Sequence, residues 1–302
     1  MRLAVAGGSG LIGSALVPHL REDGHEVLRL VRRTPRIADE HRWDPQHRRV
    51  DPALLRDVDA VVNLAGTPIR PRPFTAGYKQ QLLDSRVDAT ATLSEALAAA
   101  AAADPDRPRV LLNASAVGYY GDTGDRPVDE SAPPGTDFLA TVCERWEAAT
   151  APAEAAGVRV VVLRTGLVLG RGAMLTKVLG LVFGLGLGGR MGSGHQYWPW
   201  ISLDDEVGAI RFLLTSAVSG PVNLTAPGPV TNAEFARVLA SVLHRPAVLP
   251  VPAVAISLGL GEFGRNSVLA GQRAVPEVLS DAGYSFTHTE LAPALRAALG
   301  RG

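Results

Sequence analysis

The sequence AVAGGSGLIGSALVPHL, residues 4–20, decides the fold of this 302-residue chain. It joins a short apolar run to an amphipathic run, with glycines at positions 7, 10 and 13 between them. The first run is typical of a buried β-strand and the second of a helix. Glycine at a strand-to-helix turn lets a ligand approach the backbone closely, and the helix N-terminus favours negative charge. We therefore predict a phosphate-binding turn here; a purely structural turn is the alternative.

The spacing of the glycines is Gly-x-x-Gly-x-x-Gly, whereas the Rossmann fingerprint for dinucleotides is Gly-x-Gly-x-x-Gly. The physical requirements are a tight turn, room for a pyrophosphate and close packing of helix on strand. We predict that the cofactor contacts in this segment are Gly7, Ser9, Gly10, Leu11, Ile12 and Gly13.

Apolar runs alternate with helical stretches along the first half of the chain. Strands are predicted at 2–7, 25–32, 59–66, 109–115 and 158–166, and helices at 11–23, 76–103 and 136–156. This alternation predicts an α/β protein with a Rossmann-like, doubly wound parallel sheet. We assign residues 1–170 to a cofactor-binding domain, its sheet completed by parts of 200–228. Residues 171–302 are assigned to a smaller, mostly helical C-terminal region on the substrate side.

Two arginines, Arg32 and Arg33, end the second predicted strand. Near this point an acidic residue binds the ribose 2′-hydroxyl of NAD, whereas an arginine accommodates the 2′-phosphate of NADP. Since a guanidinium group matches phosphate geometry, we predict NADP(H) as the cofactor. Two solvated arginines are the alternative. Leu64, Ala65 and Gly66 end the third strand, where residues of this kind let the cofactor lie against the backbone.

Composition and charge restrict the class of function. The 30 basic and 30 acidic residues cancel, so no global field attracts nucleic acid or an anionic membrane. No apolar stretch is long enough to span a membrane, and we expect no secretory leader, because residues 1–30 lack its basic, apolar and cleavage-site pattern. The single cysteine fits a reducing compartment, and the seven histidines lack metal-ligand spacing. We expect a cytoplasmic protein with a small-molecule substrate and no metal; homodimer formation is left open.

Five motifs, GGSGLIG, NLAG, SAVGYYG, LRTGLVLG and WISLDD, occur in an order that resembles the extended short-chain dehydrogenase/reductases. The stretches NLAGTPI, SRVDAT, DFLATVCERWE, GSGHQYWPWISLDD and GQRAVPEVLSDAGYSF are similar to the atypical branch called "epimerase family protein". That branch carries a C-terminal domain of unknown function. The resemblance implies a Rossmann-like domain and an NADP(H) site, and it leaves the substrate undefined.

Extended members of that family rely on a Tyr-x-x-x-Lys pair, in which lysine makes the phenol a better acid. None of the five tyrosines here has a lysine four positions later. Aligning FLATVCERWE with the family pattern Y-x-x-S-K-x-x-x-E puts Leu139 in the tyrosine position and Cys143 in the lysine position. The usual catalytic dyad is therefore absent.

Other side chains follow predicted strands at the edge where ligands bind in open α/β sheets. Ser115, Tyr119 and Tyr120 lie in NASAVGYYG, and Arg164 ends the fifth strand. We predict catalytic roles for the first three and for Cys143, and a cofactor contact for Arg164. The alternatives are that the tyrosines pack, Ser115 binds backbone, and Cys143 is a small buried apolar residue.

The glycine-rich loop GGRMGSGHQYWPWI supplies the predicted substrate contacts, Arg190, Gln196, Trp198 and Trp200. Such a loop can close over a substrate; the alternative is that its aromatic rings fill a seam between domains. Two functions remain open. One is an NADP(H)-dependent oxidoreductase or epimerase-like enzyme that acts on a small carbonyl or hydroxyl compound. The other is a cofactor-binding sensor or interaction protein without catalysis.

Overall fold

The computed structural model describes residues 1–301 and has a parallel sheet at its centre. The strands are β1 (Arg2–Ala6), β2 (Glu26–Val31), β3 (Glu40–Arg42), β4 (Ala60–Asn63), β5 (Val110–Ala116), β6 (Pro127–Val128), β7 (Arg159–Thr165), β8 (Leu167–Leu169), β9 (Tyr197–Trp198), β10 (Trp200–Ser202), β11 (Gly220–Leu224), β12 (Val230–Thr231) and β13 (Arg273–Ala274). The α-helices are α1 (Leu11–Glu22), α2 (Pro52–Arg56), α3 (Ala76–Ala103), α4 (Phe138–Ala148), α5 (Ala151–Ala155), α6 (Met174–Gly184), α7 (Leu203–Thr215), α8 (Asn232–Leu243), α9 (Ala253–Phe263), α10 (Glu277–Asp281) and α11 (Leu291–Leu299).

The main sheet has seven parallel strands in the order β3-β2-β1-β4-β5-β7-β11. From β1 the chain first moves outward to β2 and β3 and then returns to β4 on the other side. This reversal separates the carboxyl ends of β1 and β4, which is where doubly wound sheets bind ligands. The prediction of a Rossmann-like, doubly wound α/β fold is confirmed.

Each face of the sheet is covered by helices, so its strands are apolar on both sides. Leu3 and Val5 of β1 point into one core, which α1 and α7 close. Ala4 and Ala6 point into the other core, with α2, α3 and α5 above them. The small side chains of β1 on this face let α3 approach, and α3 has the predicted bounds.

Two of the differences from the sequence-based expectation lie in the main sheet and its covering helices. The helix expected at 136–156 is divided into α4 and α5, because Pro152 in the first turn of α5 has no N–H to continue the helical ladder. Strand β3 was missed because its sequence, Glu-His-Arg, has no apolar run. Pairing with β2 at the sheet edge defines this strand.

The C-terminal half builds a separate small core beside the sheet. Helices α6, α8 and α11 enclose it together with the short pairs β8–β10 and β9–β12. Strand β11 follows α7 in this half of the chain, yet it pairs with β7 and belongs to the main sheet. Among the described residues no helix has the length and apolarity needed to cross a bilayer.

Candidate functional site

A groove with a volume of about 690 Å³ opens at the carboxyl ends of β1, β2 and β4. Its walls come from the turn after β1, the end of β2, the segment after β3, the loop after β4 and one face of α3. Predicted residues that line it are Gly7, Ser9, Gly10, Arg32, Arg33, Leu64, Ala65 and Gly66. The groove therefore brings together the β1 turn, the arginine pair and the β4 loop.

Glycine is required at two positions of the β1–α1 turn. Gly7 has a φ of +80°, and a Cβ there would lie 2.5 Å from the carbonyl oxygen of Leu64. A Cβ on Gly13 would lie 2.4 Å from the carbonyl oxygen of Gly7. No such overlap exists for any L side chain in real structures, so only glycine allows β1, α1 and the β4 loop to approach this closely.

Helix α1 begins at this turn, with Gly10 as its N-cap and no side chain hydrogen-bonded to its first N–H groups. These N–H donors and the helix dipole are available to an anion in the groove. Leu11 and Ile12 form the first turn of α1 and do not line the groove; Ile12 packs against the core. Backbone groups of this turn are therefore the contacts that a pyrophosphate would use.

Arg32 and Arg33 differ in their surroundings. Arg33 donates to both carboxylate oxygens of Glu40, at 2.6 and 2.7 Å. The Arg33 guanidinium and the backbone N–H of Arg36 hold the pKa of Glu40 down to about 2, and Arg29 also contacts this carboxylate at 3.1 Å. Arg32 is exposed and has no hydrogen-bond partner within residues 1–301. The guanidinium group of Arg32 is therefore the one available to bind a phosphate.

A buried amide network shapes the loop after β4. Asn63 donates to Asn113 at 2.7 Å and to Thr90 at 3.0 Å, and its own oxygen accepts from the Ala65 N–H at 3.2 Å. These bonds fix the backbone of the loop, so that Ala65 and Gly66 line the groove. Sequence reasoning found the small residues of this loop, and the asparagine network behind it was missed.

A second cluster lies at the carboxyl ends of β5 and β7. Arg164 donates to both oxygens of Glu147, at 3.0 and 2.8 Å, and the Ser115 hydroxyl donates to Glu147 at 2.6 Å. The Arg164 guanidinium lies 3.5 Å from the ring centroid of Tyr119 and donates to the Tyr120 hydroxyl at 3.1 Å. This cluster brings three predicted catalytic residues and Arg164 together. None of them lines the groove described above.

The phenol of Tyr120 is held as a neutral hydrogen-bonding group. It is buried and donates to Asn223 at 2.7 Å. Burial raises its pKa to about 12, against the effect of Arg164. Cys143 is also buried, with Sγ 3.6 Å from the carbonyl oxygen of Ala116, and burial raises its pKa to about 12. Neither group releases its proton near neutral pH in this arrangement.

The predicted substrate residues do not meet in an open cleft. Trp198 and Trp200 are buried in the small C-terminal core, where Trp198 contacts Phe235 edge-to-face. Gln196 is buried and donates to two backbone carbonyls, and the Arg190 guanidinium donates to carbonyls of its own loop. The short strands β9 and β10 thus turn both indole rings into the core. Gln196 is enclosed by backbone, whereas Arg190 is exposed and lies outside the groove.

Two acidic residues were absent from the sequence-based site. Glu147 is the partner of Arg164, and its signal was the terminal glutamate of the family pattern aligned on FLATVCERWE. Glu40 lies on the missed strand β3, and no local pattern connects it with Arg33. Within residues 1–301 no group of three or more His, Cys, Asp or Glu side chains is arranged to hold a metal ion.

Comparison with known proteins agrees with the geometry of the fold and groove. A family model described as the NAD dependent epimerase/dehydratase family matches residues 3–225. The chain belongs to this family. A second model, described as a domain of unknown function (DUF1731), matches residues 251–298. The predicted family membership and its C-terminal domain are therefore confirmed.

The similarity to relatives covers nearly the whole length of this family member. It is 49% identical to an epimerase family protein of Mycobacterium bovis, over 97% of this chain and 96% of the relative. An Arabidopsis thaliana relative, named as chloroplastic, is 36% identical over 98% of this chain and 86% of its own. The crystal structure of the human epimerase family protein SDR39U1 with NADPH superposes with a TM-score of 0.87 at 33% identity, covering 99% of both chains.

Proposed function

We propose that this family member binds NADP(H) in the groove between α1 and α3 and uses it as an oxidoreductase or epimerase-like enzyme. The proposal depends above all on the turn at Gly7 and Gly13, where a Cβ on Gly7 would overlap the β4 loop and a Cβ on Gly13 would overlap the turn itself. The human relative of 33% identity, whose structure was determined with NADPH, supports the choice of cofactor.

In this proposal the N–H groups at the start of α1 bind the pyrophosphate, and Leu64, Ala65 and Gly66 contact the adenosine half of the cofactor. Arg32 binds the 2′-phosphate. Arg33 contributes positive charge while it holds Glu40, which would otherwise repel that phosphate.

NADPH, when bound, supplies a hydride to a small carbonyl compound. The chain's own task is then to stabilise the developing negative charge on the carbonyl oxygen and to protonate that oxygen. We assign this task to Ser115 Oγ and Tyr119 Oη. Tyr119 is only half-buried, and its hydroxyl donates to no residue within 1–301. Tyr120 and Cys143 are less suited, since burial raises the pKa of each to about 12.

The first experiment is a fluorescence titration of cofactor-stripped protein with NADPH and with NADH. We expect NADPH to bind about tenfold more tightly or better, ~1.4 kcal/mol. Arg32→Ala should abolish this preference and leave NADH affinity unchanged. Arg126→Ala, an exposed arginine outside the groove, is the control and should behave as wild type. Equal binding of both cofactors by the wild type would contradict the 2′-phosphate assignment, and binding of neither would contradict the proposed function.

The second candidate is an NADP(H)-dependent sensor without catalysis. The hydrogen bond from Ser115 to Glu147 favours it, because a hydroxyl engaged in this way does not point its proton at a substrate. This candidate predicts tight cofactor binding, no turnover across a panel of aldehydes and ketones, and partner binding that changes with the cofactor. Turnover that falls in Tyr119→Phe and Ser115→Ala would decide for the enzyme.

A further inference from the structure

Arg86, in the middle of α3, is a buried cation without an acidic partner. The residue is only 8% exposed. Three arginines are buried in the described part of the chain: Arg86, Arg109 and Arg164. Arg164 is paired with Glu147 at 2.8 Å, and Arg109 lies 3.8 Å from Asp104. For Arg86 no carboxylate of residues 1–301 lies within 4.0 Å.

The nearest acidic residues on the same helix are engaged elsewhere. Asp84 accepts a hydrogen bond from Gln80 at 2.7 Å, and Asp88 lies 3.6 Å from Arg48. Glu147 is held by Arg164. Burial lowers the pKa of Arg86, yet a guanidinium stays protonated at any ordinary pH. The interior beside α3 and α4 therefore carries a positive charge that the surrounding side chains leave uncompensated.

Only one edge of this guanidinium is used by the protein. Nη1 donates to the carbonyl oxygens of Thr67 and Leu82, at 3.0 and 3.1 Å. Nε and Nη2 donate to no described residue, and they are not among the polar atoms that are fully buried without a partner. Solvent therefore reaches both atoms, which form the side of the fork that binds an oxyanion in a bidentate manner.

The position of Arg86 joins the two clusters of the candidate site. Its Cγ, Cζ and Nη1 lie 3.4–3.6 Å from the place of a Cβ on Gly66, a residue of the groove wall. The guanidinium also lies 5.0 Å from the Trp146 ring centroid on α4. Burial raises the pKa of Cys143, the negative charge of Glu147 adds to this rise, and the positive charge of Arg86 opposes it. Arg86 thus stands between the groove and the Ser115 cluster.

We propose that Arg86 binds an oxyanion of the substrate, a carboxylate or a phosphate, through Nε and Nη2. The site takes a small anionic carbonyl or hydroxyl compound and excludes neutral ones, because a neutral ligand leaves the buried cation uncompensated. This inference deepens the proposed function and rests on it only for the place of the ligand beside the cofactor.

The test is isothermal titration calorimetry of cofactor-free and NADPH-loaded protein with oxalate, and with oxamide as the uncharged probe of matched shape. Wild type should bind oxalate in both states and should not bind oxamide. In Arg86→Met the dissociation constant for oxalate should rise about tenfold or more, and in the control Arg126→Met it should be unchanged. Inorganic phosphate as a third probe distinguishes a carboxylate preference from a phosphate preference.

Arg86→Lys keeps the charge and loses the planar fork, so it should bind oxalate several-fold more weakly than wild type and supplies the test if Arg86→Met does not fold. NADPH affinity should stay within about twofold in both variants. No oxalate binding by wild type, equal binding of oxamide, or unchanged oxalate affinity in the folded variants would overturn the inference. If the wild type did not bind NADPH at all, only the proposed function would be contradicted, because the titration of cofactor-free protein with oxalate still tests Arg86.

Discussion

Arg164 and Glu147 form a bidentate ion pair at the carboxyl ends of β5 and β7, with Nε and Nη2 of the arginine 3.0 and 2.8 Å from the two carboxylate oxygens. The side chains are 4% and 14% exposed. Removing one partner from a buried pair leaves the other charge without compensation, and this is costlier than the net value of the pair.

We therefore expect Arg164→Met to lower the free energy of unfolding by about 3 kcal/mol, measured by urea denaturation. Arg211 and Asp23 supply the matched control, because they also form a two-pronged pair, at 2.7 and 2.6 Å, on the surface. Arg211→Met should change stability little. Similar losses of unfolding free energy in the two variants would show that burial does not determine how much the Arg164–Glu147 pair contributes to stability.

Glu206 gives the protein a pH-dependent stability. It is fully buried on α7, its Oε1 accepts from Thr165 at 2.9 Å, and its Oε2 has no partner. Burial raises its pKa from 4.5 to about 8. Between these values the folded protein keeps a proton that the unfolded chain has released, so stability falls as pH rises, by up to about 1.4 kcal/mol per pH unit.

Glu206→Gln, which resembles the protonated acid, should remove this loss and make the protein more stable than wild type at about pH 8. Urea denaturation at several pH values between about 5 and 8.5 measures the effect. Some slope should remain, because burial also raises the pKa of Glu130. Glu144→Gln, an exposed position on α4, is the control. An unchanged slope in Glu206→Gln would mean that Glu206 is ionised in the folded protein.

The turn before α1 can be tested with two glycines that have the same positive φ. Gly7 and Gly24 both have a φ of +80°. A Cβ on Gly24 meets nothing within 4 Å, whereas a Cβ on Gly7 meets the carbonyl oxygen of Leu64 at 2.5 Å. Gly24→Ala therefore measures the cost of the left-handed backbone alone, about 1 kcal/mol.

Gly7→Ala should lose more stability than Gly24→Ala, by about 1–3 kcal/mol, because the methyl group forces β1 and the β4 loop apart. It should also weaken NADPH binding, whereas Gly24→Ala should not. Chemical denaturation and the fluorescence titration measure the two effects. Equal stability losses would indicate that the β4 loop moves away freely.

Cys143 should be inert in the folded protein. It is buried, burial raises its pKa to about 12, and the thiolate is the reactive form. Labelling by a thiol reagent at neutral pH should be slower by about a hundredfold or more than in urea. Rapid labelling of the native protein would restore Cys143 as an acid, base or nucleophile in the reaction.

The sequence predicted the secondary structure correctly where local interactions determine it. The bounds of α3 agree with the prediction, because Thr75 caps the helix and the alanine-rich stretch continues it to Ala103. The sequence predicted a substrate-binding loop with Arg190, Gln196, Trp198 and Trp200. In the structure both tryptophan rings are instead buried in the small C-terminal core. Aromatic residues in a glycine-rich segment suit both a lid and a core, and the direction in which each ring points depends on α8 and α11.

The sequence by itself determined the alternation of the main strands and helices in the first half of the chain, because this depends on periodicity. It also determined the glycines of the β1–α1 turn and the arginines that follow β2, because these depend on short-range backbone geometry. Only the tertiary structure decided which charges are paired. Glu147 lies 17 residues from Arg164 along the chain, and the packing of α4 beside β7 brings the two together. Glu40 lies seven residues from Arg33, and their contact forms because β3, which carries Glu40, pairs with β2, which Arg33 follows. The same folding leaves Arg86 buried without a carboxylate, a property of three-dimensional packing that no spacing along the chain records.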